Sequence, residues 1–366
     1  MPLVPHNIHD LQPYKAGKPI EEVRRELGLD HIIKLASNEN PLGPPPGAIA
    51  AATEALKGAH RYPDPSGFEL RSALAKKFNL KIDNVILGAG SEGIMSTIMR
   101  TFLLDDDEII SASGSFIGFK VLANASGNRV HWVPMQDNRY DLESMAQKIN
   151  DYTKIVYIAN PDNPMGTYIT RKEFDGFYAH VPERVLIILD EAYYEYAQNT
   201  PDYPDSMTYR YDNVITLRTF SKIYGMGGIR CGYGFAHETL ITNLMKVKLP
   251  FEVSVPAHAA ALAALDDTVY VEKSIRNNAE GMQRFEEAFA ARHMPFIKSV
   301  TNFMTLLFPD EAAAAAFTRA LLEKGVIVRH LVAFGVPHAV RITIGSPEEN
   351  DFFLEQLATL DPATWR

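Results

Sequence analysis

What most restricts the fold of this 366-residue chain is a series of short, predominantly apolar runs separated by stretches of helical periodicity. Val85-Ile86-Leu87, Ile109-Ile110, Val130 to Val133, Ile155 to Ala159, Val185 to Leu189 and Val214 to Leu217 follow one another in this way. A strand apolar on both faces has to be covered on both faces, and helical crossovers do that for parallel neighbours. The pattern predicts an α/β fold: a large domain whose mostly parallel sheet has helices on both faces. Ligands of such sheets gather at the carboxyl ends of the strands. Most of these runs end in a polar cluster, so the clusters are the candidate site.

The flanking regions read differently. Ile20 to Leu29 carries Ile20, Val23 and Leu27 at helical spacing and stops at Gly28. Arg61 to Gly67 holds two prolines and a glycine, which exclude regular structure. Beyond Pro256, helical stretches reach Leu265 and then about Arg292. Short apolar pieces follow at 303–308, 326–328 and 340–344. The expected organisation is an arm (1–36), a large domain (37–265) and a smaller α+β domain (266–366) that the arm joins.

Net charge of −9 argues against a non-specific nucleic-acid binder. An anionic ligand would need placed arginines or helix N-termini. The single cysteine, Cys231, excludes an intrachain disulfide and reads as a packed thiol in a reducing compartment. The first residues lack a signal-peptide pattern and no apolar run is long enough to span a bilayer, so a cytoplasmic location is expected. His60, His330 and His338 lack metal-ligand spacing, and no metal is expected.

The chemistry is concentrated at four strand ends. Lys222 follows an apolar run, with Thr219 and Ser221 before it, Arg230 after it and glycines between. A lysine amine can condense with an aldehyde cofactor, while hydroxyls and a guanidinium hold that cofactor's phosphate. Taken alone, such a lysine is by default a surface residue of a glycine-rich loop. Asp190 follows five apolar residues; it reads either as a helix N-cap or as the partner of a buried cation. Gly88-Ala89-Gly90-Ser91-Glu92-Gly93 formally matches a dinucleotide fingerprint. The acidic group that should end the next strand instead precedes it, at Asp105 to Glu108, so a nicotinamide-dependent dehydrogenase is the lesser alternative. The loop reads more simply as a helix N-terminus that receives a phosphate.

In this order the motifs resemble the fold-type-I pyridoxal-phosphate aminotransferases, and within them the histidinol-phosphate aminotransferase family, nearly end to end. The resemblance rests on Pro13-Tyr14, Asn38-Glu39-Asn40-Pro41, Arg61-Tyr62-Pro63, Gly90-Ser91-Glu92, Asn163-Pro164 with Gly166, Asp190-Glu191-Ala192-Tyr193, Arg218 to Lys222 with Arg230-Cys231-Gly232, Val328-Arg329, and Arg341 to Gly345. It implies pyridoxal 5'-phosphate joined to Lys222, which also carries the proton between substrate and cofactor. Asp190 would hold the ring nitrogen, Asn163 and Tyr193 the ring oxygen, and Phe116 would stack on the ring. Gly90, Ser91, Glu92, Thr219, Ser221 and Arg230 would take the phosphate. Tyr62 would reach the cofactor of a partner in a homodimer, and Tyr14, Asn38, Arg329 and Arg341 would bind substrate. The implied reaction moves the amino group of L-histidinol phosphate to 2-oxoglutarate. Gly114-Ser115-Phe116, Phe119, Asp162, Met165 and Phe251 depart from the family pattern, which leaves an aromatic or broad-range amino-acid aminotransferase as an alternative.

Overall fold

The computed structural model describes residues 3–11 and 17–361. Its strands are β1 (Ile33–Lys34), β2 (Val85–Gly88), β3 (Glu108–Ala112), β4 (Arg129–Val133), β5 (Thr153–Ala159), β6 (Leu186–Asp190), β7 (Val214–Thr219), β8 (Gly232–Phe235), β9 (Phe296–Ile297), β10 (Phe303–Leu307), β11 (Val326–Ile327), β12 (Arg329–His330) and β13 (Ala339–Thr343). Seven of them form the main sheet in the order β2-β8-β7-β6-β5-β3-β4. The five strands from β7 to the β4 edge are parallel throughout, as the apolar runs predict. Every residue of β3, β6 and β7 is buried.

At one edge β8 turns antiparallel to β7 and β2. The sequence reading had not assigned β8, because Gly-Tyr-Gly-Phe lacks an apolar run. Its position also answers the dinucleotide alternative. β2 borders β8 and has no pairing with β3, so the parallel β-α-β unit that a nicotinamide fingerprint requires is not formed.

The remaining strands lie in a four-stranded antiparallel sheet, β12-β13-β10-β9, and a two-stranded parallel one, β1-β11. The latter joins the arm to residues 326–327, and Ile33 and Leu35 enter the same apolar cluster as Phe285, Phe317, Ile342 and Phe353. The helix Ile20–Leu27 ends at Gly28 in a left-handed conformation, as read from the sequence. Cys231 is buried, and burial pushes its thiol up to about 12. Among the described residues no helix is long and apolar enough to cross a membrane, and no group of three His, Cys, Asp or Glu side chains could hold a metal ion.

Candidate active site

The loops after β2, β3, β5, β6 and β7 converge on a cavity of about 190 Å³. It is lined by Gly90, Ser91, Glu92, Phe116, Asn163, Asp190, Tyr193, Thr219, Ser221, Lys222 and Arg230, together with Ala159, Pro161 and Ala192. Residues separated by more than a hundred positions meet here because the parallel strands point the same way. Larger grooves elsewhere on the surface, such as the one of about 1150 Å³ between residues 136 and 184, contain none of these groups.

Asp190 ends β6, and only 4% of it is exposed. It is not a helix cap; the following short helix begins at Tyr194. Its Oδ2 accepts a hydrogen bond from the Tyr157 hydroxyl at 2.8 Å, whereas its buried Oδ1 has no partner among the described residues. Burial pushes the carboxyl up to about 6, against the Tyr157 hydrogen bond, which acts the other way. An orphaned carboxylate oxygen facing a cavity is costly unless a donor arrives from outside the chain.

Lys222 lies beyond β7, half-buried, with its amine 5.6 Å from the centre of the Tyr193 ring. Its tip opens onto the cavity, yet the protein packed around it strips most of its hydration. Burial, reinforced by Arg341 and Arg230, lowers the amine to about 8 against the opposing pull of Glu39 and Asp190.

At the opposite end the helix Gly90–Phe102 presents its N-terminus, with no side-chain cap. Arg230 donates to the Ser221 hydroxyl at 3.2 Å and to the Ala89 carbonyl at 3.3 Å. Ser221 N–H is held by the Thr219 hydroxyl at 3.0 Å. Gly232 is sterically required here, since a Cβ would collide with the Gly90 backbone.

The third side is polar and aromatic. Asn38 donates to the Tyr193 hydroxyl at 2.8 Å, and burial pushes that phenol up to about 12. Arg341 donates to Asn163 Oδ1 and to the Ala36 carbonyl, the latter at 3.0 Å. Its guanidinium also lies over the rings of Phe303 and Phe334, and Arg329, opposite Arg341 across the β12–β13 pair, lies over Phe334 as well. Tyr14 lies outside the described residues. Tyr62 does not reach this cavity within one chain; 79% exposed, it stacks on Phe251 with ring centres 4.3 Å apart.

Three features escaped the sequence reading. Tyr157, stacked on Phe119 at 3.8 Å, is the partner of Asp190. It is the one hydroxyl in the apolar run Ile155 to Ala159, and a buried tyrosine hydroxyl wants an acceptor. Ser115 donates to Asp162 Oδ1 at 2.5 Å and meets the Tyr140 hydroxyl at 2.7 Å, tying the Phe116 loop to the Asn163 loop. Behind Asp190, Arg218 donates to Glu191 at 2.9 Å and to Asp205 at 2.8 Å, with Tyr194 stacked 3.4 Å from its guanidinium carbon.

The profile described as "Aminotransferase class I and II" matches residues 30–357. This chain belongs to the class I and II aminotransferase family. As an aminotransferase it is 41% identical to a histidinol-phosphate aminotransferase of Anaeromyxobacter sp. strain Fw109-5, covering 98% of this chain and 99% of the relative. A second relative, histidinol-phosphate aminotransferase 2 of Carboxydothermus hydrogenoformans, is 40% identical over 96% of this chain and 97% of its own. Among solved structures, histidinol-phosphate aminotransferase from Sinorhizobium meliloti in complex with pyridoxal-5'-phosphate superposes with a TM-score of 0.89. It is 29% identical and covers 100% of this chain and 98% of that one. A mutant aspartate aminotransferase of Thermus thermophilus, 22% identical, has a TM-score of 0.85, covers 98% of this chain and 99% of its own, and speaks to the fold alone.

Proposed function

We propose that this aminotransferase uses pyridoxal 5'-phosphate to move the amino group of L-histidinol phosphate to 2-oxoglutarate, yielding imidazole acetol phosphate and glutamate in histidine biosynthesis. The observation that carries the cofactor reading is the unpartnered buried oxygen of Asp190. A protonated pyridine nitrogen is the donor whose charge and shape suit it.

When bound, pyridoxal phosphate supplies an aldehyde that takes up the amino group and an electron-withdrawing ring that accepts the electron pair left at the substrate's Cα. The chain does the rest. Asp190, its other oxygen fixed by Tyr157, keeps the ring nitrogen protonated. Asn163 and Tyr193 donate to the ring oxygen, and Phe116 excludes water from one ring face. Backbone N–H groups of Gly90, Ser91 and Glu92, with Thr219, Ser221 and Arg230, hold the phosphate against the helix N-terminus. Lys222, its amine lowered to about 8, is neutral often enough near physiological pH to take the proton from Cα and return it at C4′. Arg341, helped by Arg329 and Tyr14, binds the anionic end of the substrate through a guanidinium fork that accepts phosphate or carboxylate, and Asn38, donating to Tyr193, lies on the substrate side.

The same reading carries a homodimer, in which Tyr62 reaches the phosphate site of a second copy, a cytoplasmic location, and the division into arm, large domain and small domain at residues 36 and 265. A panel of amino donors with 2-oxoglutarate tests the substrate. Histidinol phosphate should have the highest kcat/KM; higher values for phenylalanine or tyrosine would assign the chain to aromatic substrates instead.

A further inference from the structure

We propose that Glu252 is a positioning residue that sets the shape of the phosphate-binding turn, an inference that rests on the pyridoxal-phosphate reading above. Ala89, at the N-cap of the helix Gly90–Phe102, has no side chain with which to orient the first turn. Orientation comes from outside the helix. The Ala89 N–H donates to Glu252 Oε1 at 2.8 Å, and the Ala89 carbonyl accepts from Arg230 at 3.3 Å. The single residue before the cradle is thus held on both sides, which leaves the next N–H groups free to face the cavity.

The acceptor is itself fixed. Lys248 ties the segment by donating to the Glu252 and Leu249 carbonyls, and the neighbouring Val253 is buried in the core. Gly93 leaves the necessary room: a Cβ there would lie 2.5 Å from Glu252 Oε1. A carboxylate beside a phosphate site is electrostatically unfavourable. Glu252 therefore serves the site through the position of its acceptor oxygen and not through its charge.

The test uses apoprotein titrated with pyridoxal phosphate and, separately, with pyridoxal, which lacks the phosphate, following the absorbance of the bound aldehyde. Glu252→Ala should weaken pyridoxal phosphate about tenfold, the usual effect of losing one ordering hydrogen bond to a charged site. Its affinity for pyridoxal and its apoprotein Tm should stay close to the wild type. Glu252→Gln, which keeps the acceptor and drops the charge, should bind pyridoxal phosphate as tightly as the wild type or tighter. Unchanged pyridoxal phosphate binding by Glu252→Ala overturns the proposal, as does an equal loss for both ligands. A wild-type protein that binds pyridoxal phosphate no better than pyridoxal would instead bring down the cofactor reading beneath it.

Discussion

Asp190 and Glu191 are chain neighbours, both buried, and at the same strand end, but their surroundings differ in kind. Glu191 is fully matched: Arg218 binds it, Ser206 N–H donates to it, and Tyr194 closes the guanidinium from one face. Burial raises its carboxyl and Arg218 opposes that rise. Asp190 has one oxygen satisfied and one left bare toward a cavity. A self-sufficient buried pair is structural, holding β6 to β7 so that Asp190 and Lys222 keep their spacing. A half-satisfied carboxyl is waiting for a ligand. Burial alone does not separate the two residues; the state of their second partner does.

That contrast can be broken most sharply at the lysine. Lys222→Ala should lower kcat by about 10⁴-fold or more while leaving Tm near the wild type; substantial turnover without added amines would refute the assignment. Glu191→Gln should fail in the opposite way, destabilising the protein by about 3 kcal/mol in denaturant unfolding because the buried guanidinium of Arg218 loses its buried counter-charge and keeps only the more exposed Asp205. Any protein that remains folded should retain most of its kcat, and a catalytic collapse in a stable variant would erase the distinction drawn here.

Asp190→Asn should cut kcat/KM by about 10²–10³-fold yet not destabilise the apoprotein at neutral pH. The sign follows from its raised pKa. The folded apoprotein holds this proton up to about pH 6, whereas the unfolded chain releases it near 3.8. The group's stabilising contribution is therefore full below pH 3.8 and lost as pH rises through 6, a swing on the order of 3 kcal/mol. The pH dependence of apoprotein Tm should be flatter across that window in Asp190→Asn than in the wild type. An unchanged dependence would show that the folded carboxyl is already ionised across that window. Tyr157→Phe should have the smallest effect, about tenfold or less in kcat, since it removes one hydrogen bond and leaves the carboxylate in place.

Much of this arrangement is visible in the amino-acid order, for a physical reason. Strands buried on both faces have apolar cores, so β3, β5, β6 and β7 stand out, and parallel topology sends their polar ends to one place. What stayed hidden depends on contacts between distant segments. Neither the pairing of Arg218 with Asp205 nor the reach of Glu252 to Ala89 has a local signature. β8 was missed because its two glycines dilute the strand pattern: Gly232 serves close approach to the Gly90 backbone, and Gly234 makes room for the Leu217 and Ile86 side chains. Tyr157 could have been found, since a tyrosine hydroxyl inside a buried apolar run asks for an acceptor.

The two-residue zipper between β1 and β11 has a consequence for biosynthesis. Ala36 and Asn38, which meet Arg341 and Tyr193, are set in place by a strand whose mate lies close to the other terminus. As the polypeptide leaves the ribosome, Ile33 and Lys34 must wait until Val326 and Ile327 have been made. The main sheet can assemble earlier, but the wall that carries Ala36 and Asn38 closes only after Val326 has been made, so nascent chains truncated before it should lack that wall.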